Sequence, residues 1–194
     1  RHIHSSNPRI QFFACQALGR IKHEASFDQL IKVIEANRDS DLYIRHAANL
    51  ALSRLGNAEK IAGLSAHPSR SVKIAAILAL RRLKSPLIKA FLTDADEYLV
   101  TEAARAINDD ESIPEALPAL AELVNHSNFK SEALLRRAIN ACLRVGTNKE
   151  LENLVAFAQN ANVTETLKAE AMATIGTWAD PSVLDRVDGR YRGE

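Results

Sequence analysis

Six histidines, two cysteines and a run of three carboxylates are the residues in this chain best suited to chemistry. A zinc site on a helix wants histidines at i and i+4 with a third ligand close by. Here His2 and His4 stand two apart in a polar N-terminal run. His23, His46, His67 and His126 fall in separate segments. No pair has the helical spacing, so no metal is expected. A cysteine activated by histidine would be a nucleophile, but Cys15 and Cys142 lie inside apolar helical sequence. Such surroundings raise a thiol's pKa and quench it. Both are expected to be buried and to pack as small apolar groups. Asp109, Asp110 and Glu111 crowd one loop. Helix termination and solvation account for them, with a cation or a basic partner as the alternative. Neither a catalytic residue nor a cofactor is expected.

The elements that carry these residues follow a repeat. The phrase apolar–x–x–x–Ala–x–x–Ala/Thr–apolar–x–x–apolar recurs, with variation, at Ile10–Ile21, Ile44–Leu55, Val72–Leu83, Leu99–Asp110, Leu134–Val145 and Leu167–Trp178. Successive copies start 34, 28, 27, 35 and 33 residues apart, a period that marks stacked helical hairpins. In the second copy Ile44, Ala47, Ala48, Ala51, Leu52 and Leu55 form one apolar stripe at helical spacing. Each phrase is therefore the second helix of a hairpin, and its alanines let neighbouring helices approach closely. First helices are predicted at Phe27–Ala36, Ala58–Ser65, Pro86–Leu92, Ile113–Val124 and Lys149–Gln159. Pro118, about one turn into its helix, predicts a late start or a bend there.

Bulk composition narrows the function classes. The chain is 46% hydrophobic and 25% charged, the balance of an ordinary packed protein. Its net charge of +1 gives no global excess to hold a polyphosphate. No run of 18 apolar residues exists, so no segment is expected to span a membrane. Met172 is the only methionine, and the chain reads as a piece of a longer protein.

Helical hairpins with Asp or Asn before the second helix and an arginine early in it, as in Asp41-Leu-Tyr-Ile-Arg45, resemble HEAT repeats. A carboxylate there caps free amides at a helix N-terminus. Lys73 and Lys168 replace the arginine in other copies, and Val100 and Leu135 stand there in the fourth and fifth. The expected fold is thus all-α: a right-handed α-solenoid of about six HEAT-like hairpins, one domain over 1–194. Residues 179–194 are expected as a tail leading to a following domain. A narrower resemblance rests on Glu102-Ala-Ala-Arg-Ala-Ile-Asn-Asp109, Leu134-Leu-Arg-Arg-Ala-Ile-Asn-Ala141, and Gly176-Thr-Trp-Ala-Asp-Pro181 with Asp185-Arg-Val-Asp-Gly-Arg-Tyr-Arg192. These are similar to the HEAT-repeat segment of large bacterial multidomain dehydrogenases, between a glucose/sorbosone-dehydrogenase-like propeller and a cytochrome-c-like haem domain. The resemblance implies a spacer or docking module in an exported, periplasmic redox protein; without it, a cytoplasmic setting is the default. It brings no redox chemistry to this segment, because haem attachment needs Cys-x-x-Cys-His and no such run is present.

Candidate binding residues project from the second helices. Arg45, Lys73, Arg81, Arg105 and Arg136, joined by Asn108 and Asn140, are expected to line a protein-binding face. Arg20, Arg54, Arg82 and Arg144 recur near helix C-termini, where a cation favours the helix dipole. Residues 70–89 are basic and 94–111 acidic, a blocky pattern that suits a protein partner better than a duplex. Trp178 and Tyr191 are candidate anchors for an adjacent domain. The leading reading is a non-catalytic interaction or spacer scaffold that docks a protein partner or a neighbouring domain. The alternative is a nucleic-acid-binding array of the alkylpurine DNA glycosylase type, disfavoured by an aromatic content of 5%.

If the alanines set the stacking distance, Ala76→Leu overpacks the array and costs about 1–3 kcal/mol. A thermal melt unchanged by that substitution would refute the expectation.

Overall fold

The computed structural model describes residues 2–110, 112–126 and 128–192; Glu111 of the acidic run lies outside them. Helices begin where the sequence supplies caps. The Asn7 side chain accepts the amides of Arg9 and Ile10, and starts α1 (Pro8–Arg20). Asp41 accepts those of Tyr43 and Ile44 and starts α3 (Leu42–Leu55). Asp96 does the same through Tyr98 for α6 (Glu97–Asn108), and Ser131 through Leu134 for α8 (Glu132–Val145). With α5 (Arg70–Leu83) and α10 (Glu165–Gly176), these are the six repeated phrases, all helical. Gly56 and Gly146, at φ 77° and 70°, end α3 and α8 in the left-handed conformation that glycine adopts without strain.

The first helices are less uniform. α2 (Phe27–Asn37) and α9 (Asn148–Gln159) match their predicted spans closely. α4 (Ala58–Gly63) runs on into a 3₁₀ turn, Leu64–Ala66. The Pro86–Phe91 segment is entirely 3₁₀. The segment predicted at Ile113–Val124 is broken into a 3₁₀ turn Pro114–Ala116, α7 (Leu117–Ala121) and a second 3₁₀ turn Glu122–Asn125. Pro118 has no N–H to donate and is tolerated only near a helix start, so α7 begins late, at Leu117. The architecture is all-α, an α-solenoid of stacked helical hairpins; among the described residues the β pairing is one isolated bridge, Leu184 with Tyr191. No helix there is long and apolar enough to cross a membrane.

The chain divides into two compact units, Arg1–Phe91 and Leu92–Glu194. In the first, α1 packs on α3 and α3 on α5, while α2 covers α3 and α5. Ala47, Ala48, Ala51, Leu52, Ala75, Ala76 and Leu80 are buried in the stack. α1 and α3 approach closely at Gly19. A Cβ built there would lie 2.6 Å from the Ala51 Cα, so only hydrogen fits between α1 and α3. In the second unit α6 packs on α8 and α8 on α10, with α7 against α8 and α9 against α10. Leu99, Ala103, Ile107, Ala138, Ile139, Cys142 and Ala171 fill that core.

Gly19→Ala sets two effects against each other. Alanine gains about 1 kcal/mol of helix propensity. Its methyl collides with main chain rather than with a side chain that can turn aside, and overpacking of that kind costs about 1–3 kcal/mol. A net loss of stability is expected, read as a lower urea midpoint; a higher midpoint would show that α1 and α3 are farther apart than described.

Candidate functional site

In the second unit the C-terminal segment turns back onto the second helices. Residues 183–192 form a tight loop. The Arg192 amide donates to the Val183 carbonyl at 2.7 Å, and the Asp185 amide to the Arg190 carbonyl at 2.8 Å. Gly189, at φ 69°, makes the reversal. Asp185 is its hub, with a fully buried side chain. Its carboxylate accepts the amides of Val187 and Asp188 at 2.8 and 3.1 Å, the Asn140 side-chain amide at 2.9 Å and Arg192 Nε at 3.4 Å. Burial alone would raise the Asp185 pKa; the hydrogen bonds from Val187, Asp188 and Asn140 and the charge of Arg192 outweigh it and hold the acid ionised below its ordinary range.

The loop is fastened to the end of α6. Arg192 donates to the carbonyls of Asn108 (2.9 Å) and Asp110 (2.5 Å) and pairs with Asp188 at 2.8 Å. Asp188 also accepts the Asp110 amide at 3.0 Å. Arg190 pairs with the Asp110 carboxylate at 2.7 Å. Asp110 and Ser112 both sit at φ 54°, a strained choice for residues with side chains, and the tail holds this turn from outside. On α8, Arg137 grips Asp109 with a two-pronged pair at 2.8 and 2.6 Å. Arg136 joins Glu132 on its own helix to Glu170 on α10, and Glu170 also receives Arg186 of the tail.

The candidate residues therefore separate. Asn108 and Asn140 are buried and bonded to each other at 2.9 Å, under the tail. Arg105 pairs with Glu102 at 2.7 Å and Arg136 with Glu132 and Glu170, both arginines half-exposed. Arg45, Lys73 and Arg81 belong to the first unit, half-buried on α3 and α5. Arg45 and Lys73 occupy the same place in the phrase; the matching Val100 and Leu135 of the second unit are buried in its core. Trp178 falls two residues past the end of α10 and is half-buried, whereas Tyr191 is 65% exposed beside Leu184. Arg144 lies in the last turn of α8, as expected, and has further contacts. It donates to Ser112 Oγ at 3.1 Å and faces Asp185 at 3.9 Å; burial, then the like charge of Arg192, pulls its pKa down. Cys15 and Cys142 are buried free thiols, pushed up by burial to about 11 and about 12.

Asp185, Asp188, Arg192, Arg144 and Glu170 were not predicted to meet. The signal lay in the segment 185–192 itself, which packs three arginines, two aspartates and an Asp-Gly turn into eight residues. Glu97 was equally hidden: from α6 it accepts the amides of Lys130 and Ser131 at 2.5 and 2.6 Å, capping the approach to α8 from a neighbouring repeat.

A family model described as HEAT repeats matches residues 2–81. The crystal structure of an engineered protein from the Northeast Structural Genomics Consortium is similar in fold, with a TM-score of 0.51 at 17% identity over 93% of this chain and 96% of that one. A designed armadillo repeat protein gives 0.45 at 18% identity over 91% and 97%. No curated protein matches. The chain is accordingly an α-solenoid of helical repeats, and its first part is similar to HEAT repeats.

Asp185 sets a pH dependence. Its folded pKa is depressed, so the stability it contributes is present above the ordinary carboxylate range and is lost as pH falls below about 4. Amide protection in the tail and α6 should drop in that window. Arg192→Ala, which leaves the buried carboxylate short of a charged donor, should cost about 2–4 kcal/mol at neutral pH. An unchanged midpoint in Arg192→Ala, with tail protection flat into acid, would contradict this clamp.

Proposed function

We propose that the chain is a non-catalytic scaffold within a larger protein, one of redox type, and that its second-helix faces dock a protein partner or a neighbouring domain. The observation that carries this reading is the tail itself. A looped peptide segment is seated on α6 and α8 through Asn108, Asn140 and an Asp–Arg cluster. The chemistry of that face, buried amides flanked by arginines, suits an acidic turn or loop. In the second unit the seat is already taken, which leaves Arg105, Arg136 and the exposed Tyr191 as its accessible rim. In the first unit Arg45, Lys73 and Arg81 remain the candidates. That unit holds fifteen Lys and Arg against six Asp and Glu, so an acidic protein surface is the partner it favours. Tyr191, which is exposed, and Trp178 are the residues proposed to anchor an adjacent domain. Nucleic acid is the competing partner for the same charge.

Crosslinking mass spectrometry on the full-length parent protein, with Lys73 as a reporter on α5, tests this reading. Crosslinks from Lys73 to another domain or protein are expected, and Arg45→Glu with Lys73→Glu should weaken the contact at least about tenfold, the effect of losing about 1.4 kcal/mol. A gel shift with a DNA duplex at low salt is expected to show no band; a band that fades steeply with salt would favour the nucleic-acid alternative instead.

A further inference from the structure

The outer face of α1 carries the repeat's stacking stripe and nothing described lies over it. In the phrase, Ile10, Phe13, Ala17 and Ile21 of the first copy correspond to Ile44, Ala47, Ala51 and Leu55 of the second. On α3 those four residues are between 0% and 7% exposed. On α1 the three large ones are 44%, 55% and 69% exposed, and Ala17 is exposed as well. The same sequence pattern is thus core on one helix and surface on the next. What covers the α3 stripe is known: α1 packs on it, with Gly19 pressed against Ala51. Ala17 is the counterpart of Ala51. At the N-terminal end of the stripe, Phe13 and Phe12 meet edge to face at 5.1 Å, and both line a cleft of about 470 Å³ with Pro8, Arg9, Asp41 and Tyr43. A face that closes a stable array is polar; the outer face of α1 is apolar, like the faces that lie between repeats.

We propose that α1 is an interaction surface for a further helical hairpin of the same repeat type, stacked on α1 as α1 is stacked on α3. Its contacting helix presents glycine or alanine opposite Ala17, because that is the geometry Gly19 and Ala51 set. Phe13 and Ile10 then become core, and the Phe12–Phe13–Tyr43 cleft takes an apolar side chain from the incoming hairpin. This surface is separate from the docking faces proposed above, and its test does not depend on them.

The first two phrases lie 34 residues apart, so a copy of residues 8–41 placed directly before Pro8 keeps the register and supplies such a hairpin. The extended chain should melt about 5 °C higher or more, and amides of the inner α1 should gain protection from exchange. A second version with Gly19→Leu in the added copy alone should lose most of that gain, since leucine cannot approach Ala17. If the extension leaves Tm and the inner α1 unchanged, or if the leucine version stabilises equally, the proposal fails. Sedimentation of the unextended chain at high micromolar concentration checks the rival occupant. A monomer is expected; a dimer abolished by Phe13→Asp would assign the face to a second copy of the chain and overturn the hairpin.

Discussion

The close approach of second helices through glycine and alanine is the constraint on which the rest of this structure depends. Gly19 leaves no room for a methyl against Ala51, and Ala47, Ala48, Ala75, Ala76, Ala103, Ala104 and Ala138 are buried small residues on the second helices of the two units. Small residues carry little hydrophobic surface of their own. What they contribute is distance: they bring backbones close enough to bury Leu30, Leu52, Ile77 and Leu80 in the first unit, and Ile107 and Ile139 in the second. Each repeat then touches only its neighbours, and stability accumulates by interfaces.

The two units use that scaffold differently. The first keeps charged groups, Arg45 and Lys73, at the second position of the phrase; the second unit has the buried Val100 and Leu135 there on α6 and α8, and a charged residue, Lys168, only on α10. The second unit instead places Asn108 and Asn140 in the interior, where an amide without a partner would be costly. The tail resolves that cost. Asp185 receives the Asn140 amide, which donates also to Asn108 Oδ1, and Arg192 satisfies the main-chain carbonyl of Asn108. Polar core, strained turn and tail are joined in one hydrogen-bonded network.

Much of the fold was legible because the phrase is periodic and its caps are local. Asn7, Asp41, Asp96 and Ser131 sit one residue before their helices and act within three residues of themselves. The site was legible only in part, because its contacts are remote in sequence. Arg192 reaches Asn108 across 84 residues and Asn140 reaches Asp185 across 45. Periodicity correctly put Asn108 and Asn140 on the second helices, yet it could not tell an amide facing a partner from an amide facing the chain's own tail. Pro118 announced a break but not that the segment would fall into three pieces. The outer stripe of α1 was invisible for the opposite reason: its sequence is that of a buried face, and only the packing shows it uncovered.

The most direct test of the stack is a proton–proton distance. In a nuclear Overhauser spectrum of the folded chain, Gly19 Hα and the Ala51 methyl should give a strong cross-peak, as atoms in contact must. Assigned resonances for both residues with no cross-peak between them would mean that α1 and α3 do not meet through their small residues, and the account of how this array is built would be wrong.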